Sequence, residues 1–196
     1  MKKILLYSIG CVVIVLCVVC YFAFTQTREL QECKSEQDKI SGCVEKEYDG
    51  VYGARLWVET PYQNGKKHGI AKRYYENGKL ASEIPYKNGE RHGVQKWYYE
   101  NGNLRYEIPY KNGKPHGVEK EYYENGNLWY ETPYENGEWH GVEKAYYENG
   151  NLQAQVNYEN GSAVSGVCGD GKKIPNIQGL GYWGDIQNQI STTCKK

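Results

Sequence analysis

Phenylalanine and methionine are nearly missing from this chain, two residues and one among 196. A core of the usual kind draws on such side chains, so any apolar interior has to be built from something else. An excess of charge is missing too, with 24 lysines and arginines against 24 aspartates and glutamates. No strong field is available for nucleic acid or an anionic membrane surface, and neither is expected as an electrostatic partner. Neither GxSxG nor HExxH occurs, and no nucleophile stands beside a positioned base. Outside the N-terminal apolar stretch the cysteines form no CxxC pair, which leaves a zinc site unsupported. The expectation is a protein that is not an enzyme and has no metal and no cofactor.

Tyrosine is abundant, at 20 residues. Its ring buries while its hydroxyl reaches water or a partner, which suits a thin sheet. The tyrosines recur with a period of 24: the ENG triplets end at Gly78, Gly102, Gly126 and Gly150, and His-Gly pairs begin at His68, His92, His116 and His140. Such a period marks a repeat architecture in which units bury their apolar faces against neighbours. From Leu104 the residues alternate, with Leu104, Tyr106, Ile108 and Tyr110 on one side and Arg105, Glu107 and Pro109 on the other. A second run spans about His116 to Tyr123. The turns fall at Gly65, Gly78, Gly89, Gly102, Gly113, Gly126, Gly137, Gly150 and Gly161, each preceded by asparagine. An Asn-Gly pair accepts the positive φ of a type I′ hairpin at both positions. The fold class expected is all-β: an elongated, single-layer antiparallel meander of 24-residue hairpins, about eleven strands and about 50 Å long. Pro61, Pro85, Pro109 and Pro133 sit mid-strand, where a local bulge is expected at each.

The run Tyr106-Glu107-x-x-Tyr110-Lys111-Asn112-Gly113-x-x-His116-Gly117 resembles the MORN repeat, a hairpin repeat of similar length. Ile108 and Glu119 stand where that repeat normally has glycine, and Tyr110 where it usually has tryptophan. The YYENGxL ending resembles the bacterial variant found in YwqK-family antitoxin proteins. This resemblance implies the fold more strongly than the function.

Four regions are expected. Residues 1–26 hold an uncharged run from Ile4 to Phe24 behind Lys2 and Lys3, long enough to span a membrane as an uncleaved anchor. Residues 27–41 read as a juxtamembrane stalk or short helix, 42–168 as the repeat sheet, and 169–196 as a glycine-rich cap. Cys33 and Cys43 precede the repeats, and Cys168 and Cys194 follow them. This bracketing suits Cys33–Cys43 and Cys168–Cys194 disulfides in an oxidising, extracytoplasmic compartment; three pairings stay open.

Chemistry gives way to surface. Histidines one repeat apart should lie roughly 10 Å from each other, too far to share a metal, so packing beside a turn is the better account. Glu59, Glu83, Glu107 and Glu131 are expected as a solvated or lysine-paired face. Gly179-x-Gly181-x-x-Gly184 and Gly166-x4-Gly171-Lys172 imitate phosphate loops, but no βαβ unit can follow the first, and the second has Lys173 where Ser or Thr belongs. Trp57, Trp97, Trp129 and Trp139 are the candidate binding surface, with Trp129 expected on an open face opposite Tyr130. The function these residues suggest is a membrane-anchored interaction protein outside the cytoplasm. Its partner is another protein, and the resemblance implies a toxin met by an immunity-type inhibitor. A carbohydrate- or cell-wall-binding module is the alternative, because WYY runs such as Trp97-Tyr98-Tyr99 resemble choline- and glucan-binding repeats.

Overall fold

Two kinds of turn alternate along the chain. Asn64, Asn88, Asn112, Asn136 and Asn160 have φ between 49° and 54°, and positive-φ glycines follow them, so these pairs make type I′ turns. The ENG turns differ from that expectation, because only their glycines have positive φ. Tyr123 N–H donates to Asn127 O at 2.8 Å and Gly126 N–H to Tyr123 O at 2.9 Å, closing a three-residue loop that ends in a left-handed glycine. Asn125 Oδ1 accepts from Asn127 N at 2.9 Å and fixes that loop.

The computed structural model describes residues 30–49, 55–181 and 183–195. The chain divides into Met1–Gln31 and Glu32–Lys196, and the elements belong to the second unit. The expected anchor at residues 4–24 and the turn at 50–54 lie outside the described residues. Among the described residues no helix is long and apolar enough to cross a membrane.

A short helix α1, Glu36–Ser41, comes first. The strands are β1 Cys43–Asp49, β2 Arg55–Gln63, β3 Lys66–Lys67, β4 Gly69–Tyr74, β5 Leu80–Lys87, β6 Glu90–Arg91, β7 Gly93–Tyr98, β8 Leu104–Lys111, β9 Lys114–Pro115, β10 Gly117–Tyr122, β11 Leu128–Glu135, β12 Glu138–Trp139, β13 Gly141–Tyr146, β14 Leu152–Glu159 and β15 Ser162–Cys168. A second helix α2, Trp183–Thr193, ends the chain. Eleven strands run in sequence order as an antiparallel meander, and the two-residue strands β3, β6, β9 and β12 fold back on β2, β5, β8 and β11. The run expected from about His116 to Tyr123 is β10, Gly117–Tyr122, and a break at His116 separates it from the two-residue β9.

That break explains the prolines, and the bulges expected at them are not there. Register passes unbroken through Val94↔Pro109. On its other side Pro109 meets the interruption, where its carbonyl accepts from His116 N at 2.9 Å. A ladder already open at that point loses little by lacking a proline N–H. Gly117 sits over the ring at φ 111°, and a Cβ there would come within 3.3 Å of Pro109 Cγ. Each His-Gly pair thus matches a proline one hairpin earlier.

The real bulges lie four residues before each proline. Glu121 pairs with Tyr130 and Tyr122 with Leu128, which leaves Trp129 as the extra residue. Trp57, Ala81, Arg105 and Gln153 hold the same place in the other strands. A bulge puts two successive residues on one side. Trp129 therefore shares the side of Tyr130, with ring centroids 4.8 Å apart, and is not on the opposite face as expected. Leu104, paired with Tyr98, is likewise split from Tyr106.

Neighbouring units are tied at both rows of turns. Gly113 N donates to Arg91 O at 2.9 Å, and Gly137 N to Pro115 O at 2.9 Å. At the other row Tyr99 Oη donates to Tyr122 O at 2.7 Å and Tyr123 Oη to Tyr146 O at 2.8 Å.

Both sheet ends are covered by segments that imitate a missing repeat. At the start, Lys39 O takes the hydrogen bond of Gly65 N at 2.9 Å, and a Cys33–Cys43 disulfide joins the segment before α1 to β1. At the far end Ala163, Gly166 and Cys168 of β15 bond with Leu180, Ile174 and Lys172. Tyr147 Oη donates to Cys194 O at 3.0 Å, where the next unit would have stood. The disulfide Cys168–Cys194 fixes that helix end. The tail expected to be only glycine-rich thus contains a helix. Ile186 and Ile190 pack with Tyr130, Ala145, Ala154, Val156 and Tyr158 in the largest apolar cluster, so the single layer gains a second one here.

Candidate binding groove

The two faces of the sheet carry different chemistry. On one, a row runs across the strands in which Lys72 pairs with both Glu59 and Glu83, Lys96 with Glu83 and Glu107, and Lys120 with Glu107 and Glu131. Lys144 Nζ stands 2.8 Å from Glu131 Oε1 and Lys46 Nζ 3.8 Å from Glu59 Oε1. The Tyr74, Tyr98, Tyr122 and Tyr146 hydroxyls donate to the same glutamates. Register sets lysines beside all four carboxylates of the row, and ion pairs close at Glu59 and Glu131.

The other face collects the aromatic rings. Trp97 stacks on Tyr106 with centroids 5.7 Å apart, and Trp139 packs edge-on to Tyr158 at 5.1 Å. Trp57 stays 41% exposed at its bulge. Trp129, carried inward by its own bulge, meets Trp183 of α2 edge-on at 6.4 Å. Between the sheet and Trp183 lies an open groove of about 440 Å³. Trp129, Trp139 and Trp183 line it with Tyr130, Tyr134 and Thr132, together with Glu119, Glu121 and Arg105. The structure thus brings together two of the four predicted tryptophans, Trp129 and Trp139, and leaves Trp57 and Trp97 in earlier units. Trp183 was missed. It sits at i−3 from Ile186 and i−7 from Ile190, a helical spacing that could have flagged it.

Burial governs the carboxylates here. It raises the Glu119 carboxyl, with the Tyr134 hydroxyl opposing, and raises that of Glu121, with Arg105 opposing. Behind Thr132 lies Glu143, 1% exposed, which accepts from Thr132 Oγ1 at 3.2 Å. Burial pushes its carboxyl up to about 7. A raised pKa means that the folded chain holds a proton the unfolded chain has released between about 4.5 and 7. Stability therefore falls as pH rises through that window, by on the order of 3 kcal/mol for a shift of this size. Glu143→Gln should remove most of this slope and melt higher than the parent at pH 8. A pH-stability profile of both proteins checks it, and an unchanged slope would show that Glu143 is already ionised in the fold.

The backbone N–H groups of His68, His92, His116 and His140 donate to the proline carbonyls beside the turns, but the side chains of His92, His116 and His140 are exposed and not packed there as expected. Among the described residues, no group of three or more His, Cys, Asp or Glu could hold a metal ion.

Four segments, residues 67–88, 91–112, 115–136 and 139–160, match the family described as MORN repeat variant. No curated protein sequence matches the chain. Among solved structures it is similar to TarM, with 14% identity over 46% of this chain and 18% of that one, at a TM-score of 0.33. A mutant of S. aureus TarM in complex with Fondaparinux, alpha-GlcNAc-glycerol and UDP gives 15% identity over 54% and 19%, at 0.32. The chain spans less than a fifth of those chains, and scores this low carry no functional argument.

Proposed function

We propose that this array of MORN repeat variant units is a non-enzymatic binding module whose partner is another protein. The groove carries the reading: two tryptophans of the sheet and one of α2, part-exposed and not sealed into the core, are the side chains that dominate protein interfaces. In this reading residues 4–24 anchor the chain and the repeats stand outside the cytoplasm. The two disulfides favour that oxidising side. The resemblance to antitoxin proteins makes a toxin the partner class, with this chain as its inhibitor.

The test is coexpression with the product of the neighbouring reading frame. The expected result is a co-eluting complex and relief of any growth arrest that product causes. The tryptophan rim also favours a second reading, a carbohydrate- or cell-wall-binding module, because flat rings stack on sugar faces. Failure to co-elute, together with retention on purified cell wall, would replace the first reading by the second.

A further inference from the structure

We infer that the groove takes a basic side chain, lysine or arginine, presented by the bound protein, with Trp129, Trp139 and Trp183 as walls and Glu119 and Glu121 as countercharge. The inference rests on the protein-binding reading above and names what that partner must present.

The repeat itself does not demand this chemistry. Positions one and two periods before Glu119 hold Gln95 and Ala71, and those before Glu121 hold Trp97 and Arg73. The bulge position of Trp129 is Arg105 and Ala81 in the preceding units and Gln153 in the following one. Turns, prolines and the lysine–glutamate row recur with the period, whereas the Glu119 and Glu121 positions vary among the units and hold Glu143 and Ala145 one period later. Glu45, Glu47 and the bulged Trp57 repeat this set at β1 and β2, where Lys39 Nζ stands 2.9 Å from Glu45 Oε1, but only at β10 and β11 does Trp183 of α2 close a third side.

Charge decides between occupants. On the opposite face each glutamate of the row stands between two lysines. Among the described residues neither Glu119 nor Glu121 forms an ion pair. Arg105 is the one cation lining the groove, and its guanidinium is 5.7 Å from the Tyr99 ring centroid. The exposed Arg105 guanidinium opposes burial at Glu121, whereas only the Tyr134 hydroxyl does so at Glu119. A neutral sugar can donate hydroxyls to both carboxylates but brings no positive charge to offset theirs. An incoming ammonium or guanidinium supplies the missing charge, and the indole faces add cation–π attraction. Its arrival favours the ionised carboxylates, so binding should strengthen as pH rises from 5 to 8.

The test titrates the full chain with a short blocked peptide bearing one lysine or arginine, with its acetyl-lysine counterpart, and with a chitin oligosaccharide. Tryptophan fluorescence and indole N–H resonances report occupancy. A saturable response to the basic peptide, at least tenfold weaker after acetylation and strengthening from pH 5 to 8, is expected. E119Q/E121Q should lose that response at least tenfold while keeping its circular dichroism and melting no lower than the parent. An equal response to the acetylated peptide, a response to the sugar alone, or no saturable response to the basic peptide would overturn the inference. A double variant that loses the peptide but still holds the partner protein would sink it too, and would leave the protein-binding reading standing.

Discussion

Tyr158→Ala lowers the stability of the C-terminal part of the sheet by about 3–5 kcal/mol. Tyr158 is 1% exposed and is the largest of the fully buried side chains. It joins Trp139 to the cluster that holds α2 on the sheet, and it borders the Glu143 carboxyl. Truncation opens a cavity at the one place where the fold has two layers. Stability in a repeat array is nearly a sum of neighbour terms, so the loss should stay local. Hydrogen exchange should quicken across β11–β15 and α2 while β2–β7 keeps its protection. Equal loss of protection along the whole sheet would show instead that the array unfolds as one cooperative unit.

The second large effect is that of the C-terminal disulfide. Cys168–Cys194 closes a separation of 26 residues and Cys33–Cys43 one of 10. Loop-closure entropy assigns about 3.5 kcal/mol to the longer and about 2.7 kcal/mol to the shorter. The C168S/C194S protein should accordingly unfold at lower urea than C33S/C43S, and both below the parent. Losing the longer bridge also frees the end of α2, which carries the carbonyl bound by Tyr147. A reversed order of midpoints would mean that the N-terminal segment contributes more to the fold than its contacts indicate. Thiol labelling of the unfolded, unreduced parent should find none of these four cysteines free.

The period was legible because turn chemistry is local: five Asn-Gly pairs with φ near 50° are what the backbone of a two-residue hairpin requires. Strand number and order came with it. The faces were not legible, for a physical reason. One inserted residue at the Trp129 position flips the parity of everything before it, and nothing in the alternation Leu128 to Tyr134 signals the slip. The prolines pointed to irregularity, but it lies in the strand opposite, at His116-Gly117. The groove was half legible. Trp129 and Trp139 were singled out as binding material, yet Glu119 and Glu121 look like ordinary charged strand residues until the fold sets them beneath indole rings. Helix α2 was hidden by glycines before it and by an apolar face of only Trp183, Ile186 and Ile190.

The way the ends are made bears on how such a chain can change length by duplication. The C-terminal cap meets the repeats through the Tyr147 hydroxyl and the cluster around Tyr158, and the N-terminal cap through the Asn64-Gly65 turn. Among the described residues no hydrogen bond of either cap reaches Leu80–Tyr122, where the units bond to one another. A tandem copy of 24 residues inserted there in frame would create junctions already present and leave both caps as they are. The repeats can therefore be multiplied by a single genetic event, while the groove at the far end is carried along unaltered.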